Sequence, residues 1–139
     1  MRVIVTGSRD WEGKLAEARV HQVLVGALNL SWALEEPLVV VHGDCPTGAD
    51  AIADRWARRR EAEGVQLQLF KANWARLGKG AGPARNLAMV DSGADLVVGF
   101  LREDTGPSPG TRNCLTLARH AGLPVRVINW ADVHGNSPK

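Results

Sequence analysis

Five short apolar runs punctuate the chain, at residues 2–6, 38–42, 65–70, 95–100 and 124–129, and Val, Leu and Ile dominate them. Short runs of this kind read as buried strands of a parallel sheet. Between them the apolar period becomes helical. Ala49, Ile52, Ala53, Trp56 and Ala57 recur at a three-to-four-residue spacing, with Arg and Asp opposite. Ala16, Val20, Val23, Leu24, Ala27 and Leu28 form an earlier stripe of the same kind. Ala84, Leu87 and Val90 form a third, and Cys114, Leu117, Ala118 and Ala121 a fourth.

Strands alternating with helices across long connections permit parallel pairing, and right-handed crossovers then place helices on both faces of the sheet. The expected fold is α/β: a single Rossmann-like doubly wound domain over residues 1–130, with a five-stranded, mainly parallel sheet. The polar, aperiodic stretch 131–139 is expected to be a flexible tail.

In such sheets ligands bind beyond the carboxyl ends of the strands, near the point where strand order reverses. The strand-to-helix loops are therefore where chemistry is sought. After the first run, Gly7 permits close backbone approach, Ser8 offers a hydroxyl and Arg9 a fork for phosphate. After the second, Gly43, Asp44, Thr47, Gly48 and Asp50 stand in a loop that opens a helix. Thr47 suits its N-cap, and backbone N–H groups near Gly48 can face an anion. Asp50 has three readings: an anchor for a ribose hydroxyl, a brace for the loop, or a charge favoured by the helix dipole.

The third loop is the densest in glycine and basic residues. Trp74 reads as a stacking face for a base or, equally, as a plug for the core; Gly80 and Gly82 let the backbone bend around a ligand, and Pro83 suits a first helical turn. Arg85 and Asn86 fall on the helix face away from Leu87, within reach of a ligand over the sheet edge. Replacing Arg85 by Ala is expected to weaken an anionic ligand with little effect on folding. In the fourth loop, Gly110 and Thr111 open another helix and form a further anion cradle.

Two familiar phosphate motifs are excluded. The spacing from Gly43 to Gly48 imitates a P-loop, but Ala49-Asp50 stands where Lys and Ser or Thr would hold phosphates and magnesium. Gly78, Gly80 and Gly82 follow G-x-G-x-G, not the G-x-G-x-x-G of a dinucleotide site.

Composition adds little. A net charge of +2 over 139 residues names no partner. Cys45 and Cys114 form no ligand pair of zinc spacing and the four histidines are scattered, so no metal site is expected. Asp44 and Asp50 could share a Mg2+ carried by a ligand's phosphates; no cofactor is required. Cys114 falls on an apolar stripe and reads as core, whereas Cys45 is left open. The chain runs at once into a strand and holds no long apolar stretch, so a cytoplasmic protein away from the membrane is expected. Arg55, Arg58, Arg59 and Arg60 are interrupted by Glu61 and Glu63 without interleaved aromatics, which reads as a solvated face rather than a nucleic-acid surface.

Taken in order, Gly7-Ser8-Arg9, the stretch 43–50 with Gly48-Ala49-Asp50, Ala81-Gly82-Pro83-Ala84-Arg85-Asn86 with Met89, and Gly110-Thr111 resemble the SLOG superfamily, in its YspA/cpYpsA-related branch. The resemblance implies a Rossmann-like domain that binds a nucleotide or a nucleotide-derived ligand such as NAD or ADP-ribose, as a sensor or sequestering module in bacterial or phage signalling. Related phosphoribohydrolases of the LOG type carry P-G-G-x-G-T-x-x-E, whose Glu takes part in cleaving the base. Here Cys114 occupies that position and Ser108-Pro109 replaces the preceding residues. Binding is therefore expected ahead of catalysis. The alternatives are an altered nucleotide or N-glycosidic hydrolase, with Asp44 or Asp50 as general base, and a single-stranded DNA-binding protein like the related DNA-processing proteins. LOG-like relatives resemble dimers, which implies a homo-oligomer.

Overall fold

A computed structural model describes residues 1–135. Its strands are β1 (Arg2–Gly7), β2 (Val39–His42), β3 (Gln66–Leu69), β4 (Leu96–Leu101) and β5 (Val125–Asn129). Its helices are α1 (Lys14–Ala33), α2 (Gly48–Arg58), α3 (Trp74–Leu77), α4 (Ala81–Asp91), α5 (Pro109–His120) and α6 (Trp130–His134). The five apolar runs thus each become a strand, with ends that shift by one residue.

The strands lie in the order β3-β2-β1-β4-β5 and every pairing is parallel, so the sheet is parallel throughout. From β1 the chain winds outward through β2 to β3, then returns to β4 on the other side of β1 and ends at β5. Strand order therefore reverses between β1 and β4, where the loops at the carboxyl edge diverge and leave a crevice.

Alternate residues of β1 feed opposite layers. Val3 and Val5 join Trp11, Val20, Leu24, Ile52 and Trp56 in a core beneath α1 and α2. Ile4 joins Val41, Met89, Cys114, Leu115 and Ala118 beneath α4 and α5. Every residue of the stripes expected for α1 and α2 is buried. Both faces of the inner strands β1, β2 and β4 are covered, which is why these are apolar along most of their length, whereas the edge strands β3 (Gln66–Leu69) and β5 (Val125–Asn129) carry polar residues between their apolar ones.

The stripe expected on α4 is corrected. Ala84 is exposed and Leu87 is 47% exposed, while Ala81, Gly82, Asn86, Met89 and Val90 are inside. A polar residue occupies the inner face because Asn86 finds hydrogen-bond partners there, described below. On α5, Cys114 and Ala118 are buried and Leu117 half-buried; Leu115 is inside, and Ala121 is exposed just past the helix end.

Of the stretch expected as a tail, residues up to His134 belong to α6, and residues 136–139 lie outside the described part. Trp130 and Val133 pack against the first core, and Trp130 meets Trp11 edge-on with ring centroids 5.3 Å apart. Among the described residues no helix is long and apolar enough to cross a membrane.

Candidate ligand-binding cleft

The loops following β1, β2, β3 and β4 enclose a cleft of about 1190 Å³ at the carboxyl edge of the sheet. Two glycines set how closely these loops approach one another. A Cβ on Gly7 would stand 2.6 Å from the Cβ of Ala49 and 2.9 Å from the Phe100 carbonyl oxygen, so α2 starts against β1 only because position 7 has no side chain. Gly48 has φ of +72°, and a Cβ there would lie 2.3 Å from the Ser8 carbonyl oxygen.

The loop after β2 is braced by side chains from below. His42 is buried; its Nδ1 accepts the Asp44 N–H at 2.9 Å, so the ring proton sits on Nε2 and is donated to Asp54 Oδ1 at 2.9 Å. Asp50 Oδ2 accepts the N–H groups of Gly43 at 3.1 Å and Cys45 at 3.3 Å. The amides of residues 43, 44 and 45 are therefore already engaged, and an anion at α2 would meet the chain later, at its first turn. Thr47 stands at the N-cap position of α2 but its side chain makes no capping hydrogen bond; it is exposed at the cleft wall.

Of its sequence readings, Asp50 takes that of a loop brace. Burial pushes its carboxyl above the ordinary aspartate range, opposed by the nearby His42, the Cys45 and Gly43 N–H groups and the Arg85 charge.

Ser8 also turns inward. Its hydroxyl oxygen accepts the Arg102 N–H at 2.9 Å and lies 2.6 Å from the Ser108 hydroxyl oxygen, so it fastens the loop after β4. Arg9, its neighbour, is exposed on the cleft and makes no hydrogen bond or ion pair among the described residues.

On α4, Arg85 reaches across to the β2 loop, where its Nη1 donates to the Gly43 carbonyl, while its Nε donates to Asn86 Oδ1 at 2.8 Å. Asn86 Nδ2 donates to the Gly110 carbonyl at 3.2 Å and to Asn113 Oδ1 at 2.9 Å. Asn86 thereby joins α4 to the start of α5. These contacts give Arg85 a bracing role between α4 and the β2 loop, which argues against its loss having little effect on folding. Trp74 is 53% exposed at the cleft mouth and lies over Gly82, where an added Cβ would be 3.4 Å from Trp74 Cη2.

All the site residues expected from the sequence line this cleft except Gly48 and Gly80. Gly48 acts through packing. A Cβ on Gly80 would meet nothing within 4 Å. Lys71, Lys79 and Asn113 also line the cleft. Asn113 had a signal in the sequence, since it follows Gly110 by three residues and so shares its helix face.

Cys114, at the position of the LOG-type Glu, is fully buried and is not part of the cleft wall. Burial drives its thiol pKa up to about 11, against a hydrogen bond from Thr6, so it is a neutral core side chain. Cys45 is half-buried on the cleft wall. Among the described residues no group of three or more His, Cys, Asp and Glu is arranged to hold a metal.

The family model of the YspA, cpYpsA-related SLOG proteins matches residues 1–77. Those residues carry the cleft walls from β1, β2 and β3. Gene 61 protein of Mycobacterium phage D29 is 44% identical over 133 residues, covering 94% of this chain and 97% of that protein. The likeness thus extends through α4 and α5. No solved structure gives a significant match.

Proposed function

The chain belongs to the YspA, cpYpsA-related SLOG family, and from that premise we propose that its cleft binds a nucleotide or a nucleotide-derived ligand of the NAD or ADP-ribose kind, as a sensor or sequestering module. The observation that carries this reading is the meeting of Arg9, Arg85 and the exposed face of Trp74 around one cleft at the reversal of strand order. A guanidinium suits phosphate oxygens, and an indole face suits a base. Lys71 and Lys79 add positive charge on the same wall, and α5 begins there with no side-chain cap on its N-terminus.

Binding is favoured over hydrolysis by what the candidate reactive groups already do. Asp50 is buried and braces two amides, and Cys114 is a neutral core thiol. Asp44 is the exposed carboxylate left to the hydrolase reading.

The test is mass spectrometry of small molecules released from purified protein, followed by calorimetry with AMP, ADP, NAD and ADP-ribose. At least one phosphorylated compound is expected to bind below millimolar concentration without being consumed. No binding in that range would overturn the proposal, and release of free base would move the assignment to hydrolysis.

A further inference from the structure

We infer that Asn113 is a ligand-binding residue whose amide N–H groups, across the Asn86 amide from Arg85, read an acceptor oxygen of the ligand's phosphate. This rests on the reading of the cleft given above. A chain of hydrogen-bond polarity leads to Asn113 from groups with only one possible role. Arg85 Nε is a donor and nothing else, so the atom of Asn86 that it meets at 2.8 Å is the carbonyl oxygen. The Gly110 carbonyl is an acceptor and nothing else, so the atom of Asn86 that it meets at 3.2 Å is the amide nitrogen. Two fixed neighbours therefore set the orientation of the Asn86 side chain.

That orientation sets the next one. The Asn86 nitrogen faces Asn113 at 2.9 Å, which requires the Asn113 oxygen there and turns the Asn113 nitrogen the other way. Asn113 lines the cleft and is half-buried. Its Nδ2 makes no hydrogen bond among the described residues, nor is it a buried unpartnered atom, so it is open to solvent. The same holds for Nη2 of Arg85, whose Nε and Nη1 are engaged. Two side chains held by one amide, both lining the cleft, thus each keep an N–H donor without a partner among the described residues, one of them charged. Such a pair accepts an oxyanion and rejects a group that can only donate.

Asn113→Asp and Asn113→Ala separate this role from a structural one. The aspartate keeps an oxygen for Asn86 Nδ2 but turns a carboxylate oxygen towards the ligand in place of a donor. The alanine removes both. Calorimetry would use whichever of AMP, ADP, NAD and ADP-ribose the wild type binds most tightly, with thermal melts of each variant. Asn113→Asp is expected to bind at least about thirtyfold more weakly and Asn113→Ala about tenfold, with Asn113→Asp melting closer to the wild type than Asn113→Ala does. A residue that only supported Asn86 would give the reverse order of binding loss. Binding by Asn113→Asp within about threefold of a wild type that does bind would overturn this inference alone. A wild type that binds none of the four would overturn the reading of the cleft and this inference with it.

Discussion

Asp50 Oδ2 takes the backbone N–H of Gly43 at 3.1 Å from a buried position, and the same oxygen takes the N–H of Cys45. The carboxyl is raised above its ordinary value mainly by burial, so the folded state holds the proton more tightly than the unfolded chain. Stability contributed by this group is then greatest below the unfolded value. It is lost as pH rises from the unfolded value through the higher folded one. An asparagine at this position would keep an acceptor for both amides without the charge. In urea titrations from pH 4 to pH 8, Asp50→Asn is expected to match or exceed wild-type stability at pH 7 and to lose that decline. Asp50→Ala is expected to cost about 2–4 kcal/mol, through two orphaned amides. Equal destabilisation by both variants would show that the loop needs the charge itself.

Glycines of the same loops are expected to differ sharply in their tolerance of a methyl group. Gly48→Ala combines φ of +72° with a Cβ 2.3 Å from a backbone oxygen, so it should be the most damaging. Gly7→Ala meets the Ala49 Cβ, which α2 holds in place, and should cost about 1–3 kcal/mol. Gly80 has φ of −76° and open space around it, so Gly80→Ala should stay within about 0.5 kcal/mol of wild type and leave ligand affinity unchanged. Thermal melts of the three variants check the order, and a Gly80→Ala variant as unstable as Gly7→Ala would refute the packing account.

Those glycines also show what the sequence made legible. A parallel sheet buried on both faces writes itself as continuous apolar runs, and α1 and α2 bury one face against it, so their periodicity pointed the right way. The rule that ligands sit beyond the carboxyl ends of such strands then pointed to the strand-to-helix loops, which line the cleft. Individual roles were harder to read, because they depend on partners far off in the chain. Ser8 reads as an available hydroxyl until Arg102 and Ser108 arrive, 94 and 100 residues later. Asn86 reads as an outward polar residue, and the inner face was given to Leu87, because its partners Gly110 and Asn113 are 24 and 27 residues away. Apolar spacing carries no trace of a hydrogen bond that makes a buried amide tolerable.

Arg9 and Arg85 share the cleft but not the same duties, and their variants should separate. Arg9 has no partner among the described residues, so Arg9→Ala should leave the melting temperature unchanged and weaken a phosphorylated ligand about tenfold. Arg85 also ties Gly43 to Asn86, so Arg85→Ala should lower both stability and affinity. Arg85→Lys should rescue little of either, since an ammonium lacks the fork that reaches both partners. Paired melts and calorimetry decide it; an Arg9→Ala variant with wild-type affinity would place the phosphate elsewhere.

Trp74 allows the orientation of the ligand to be tested optically. Trp11 and Trp56 are buried in the core and Trp130 packs against it, whereas Trp74 lies at the cleft mouth and the exposed Trp32 is on α1. A base stacked on Trp74 would quench a surface tryptophan without disturbing the buried ones. Titration with a nucleotide is therefore expected to quench the red-shifted part of the emission, and Trp74→Phe should abolish that change. Trp74→Phe should keep most of the affinity, because a phenyl ring still offers a stacking face, while Trp74→Ala should lose about 1–3 kcal/mol of it. Both variants should melt near the wild type, since half the indole is already in water. Persistence of the quench in Trp74→Phe would mean that the base lies away from α3 and that Trp74 guards the cleft without reading its contents.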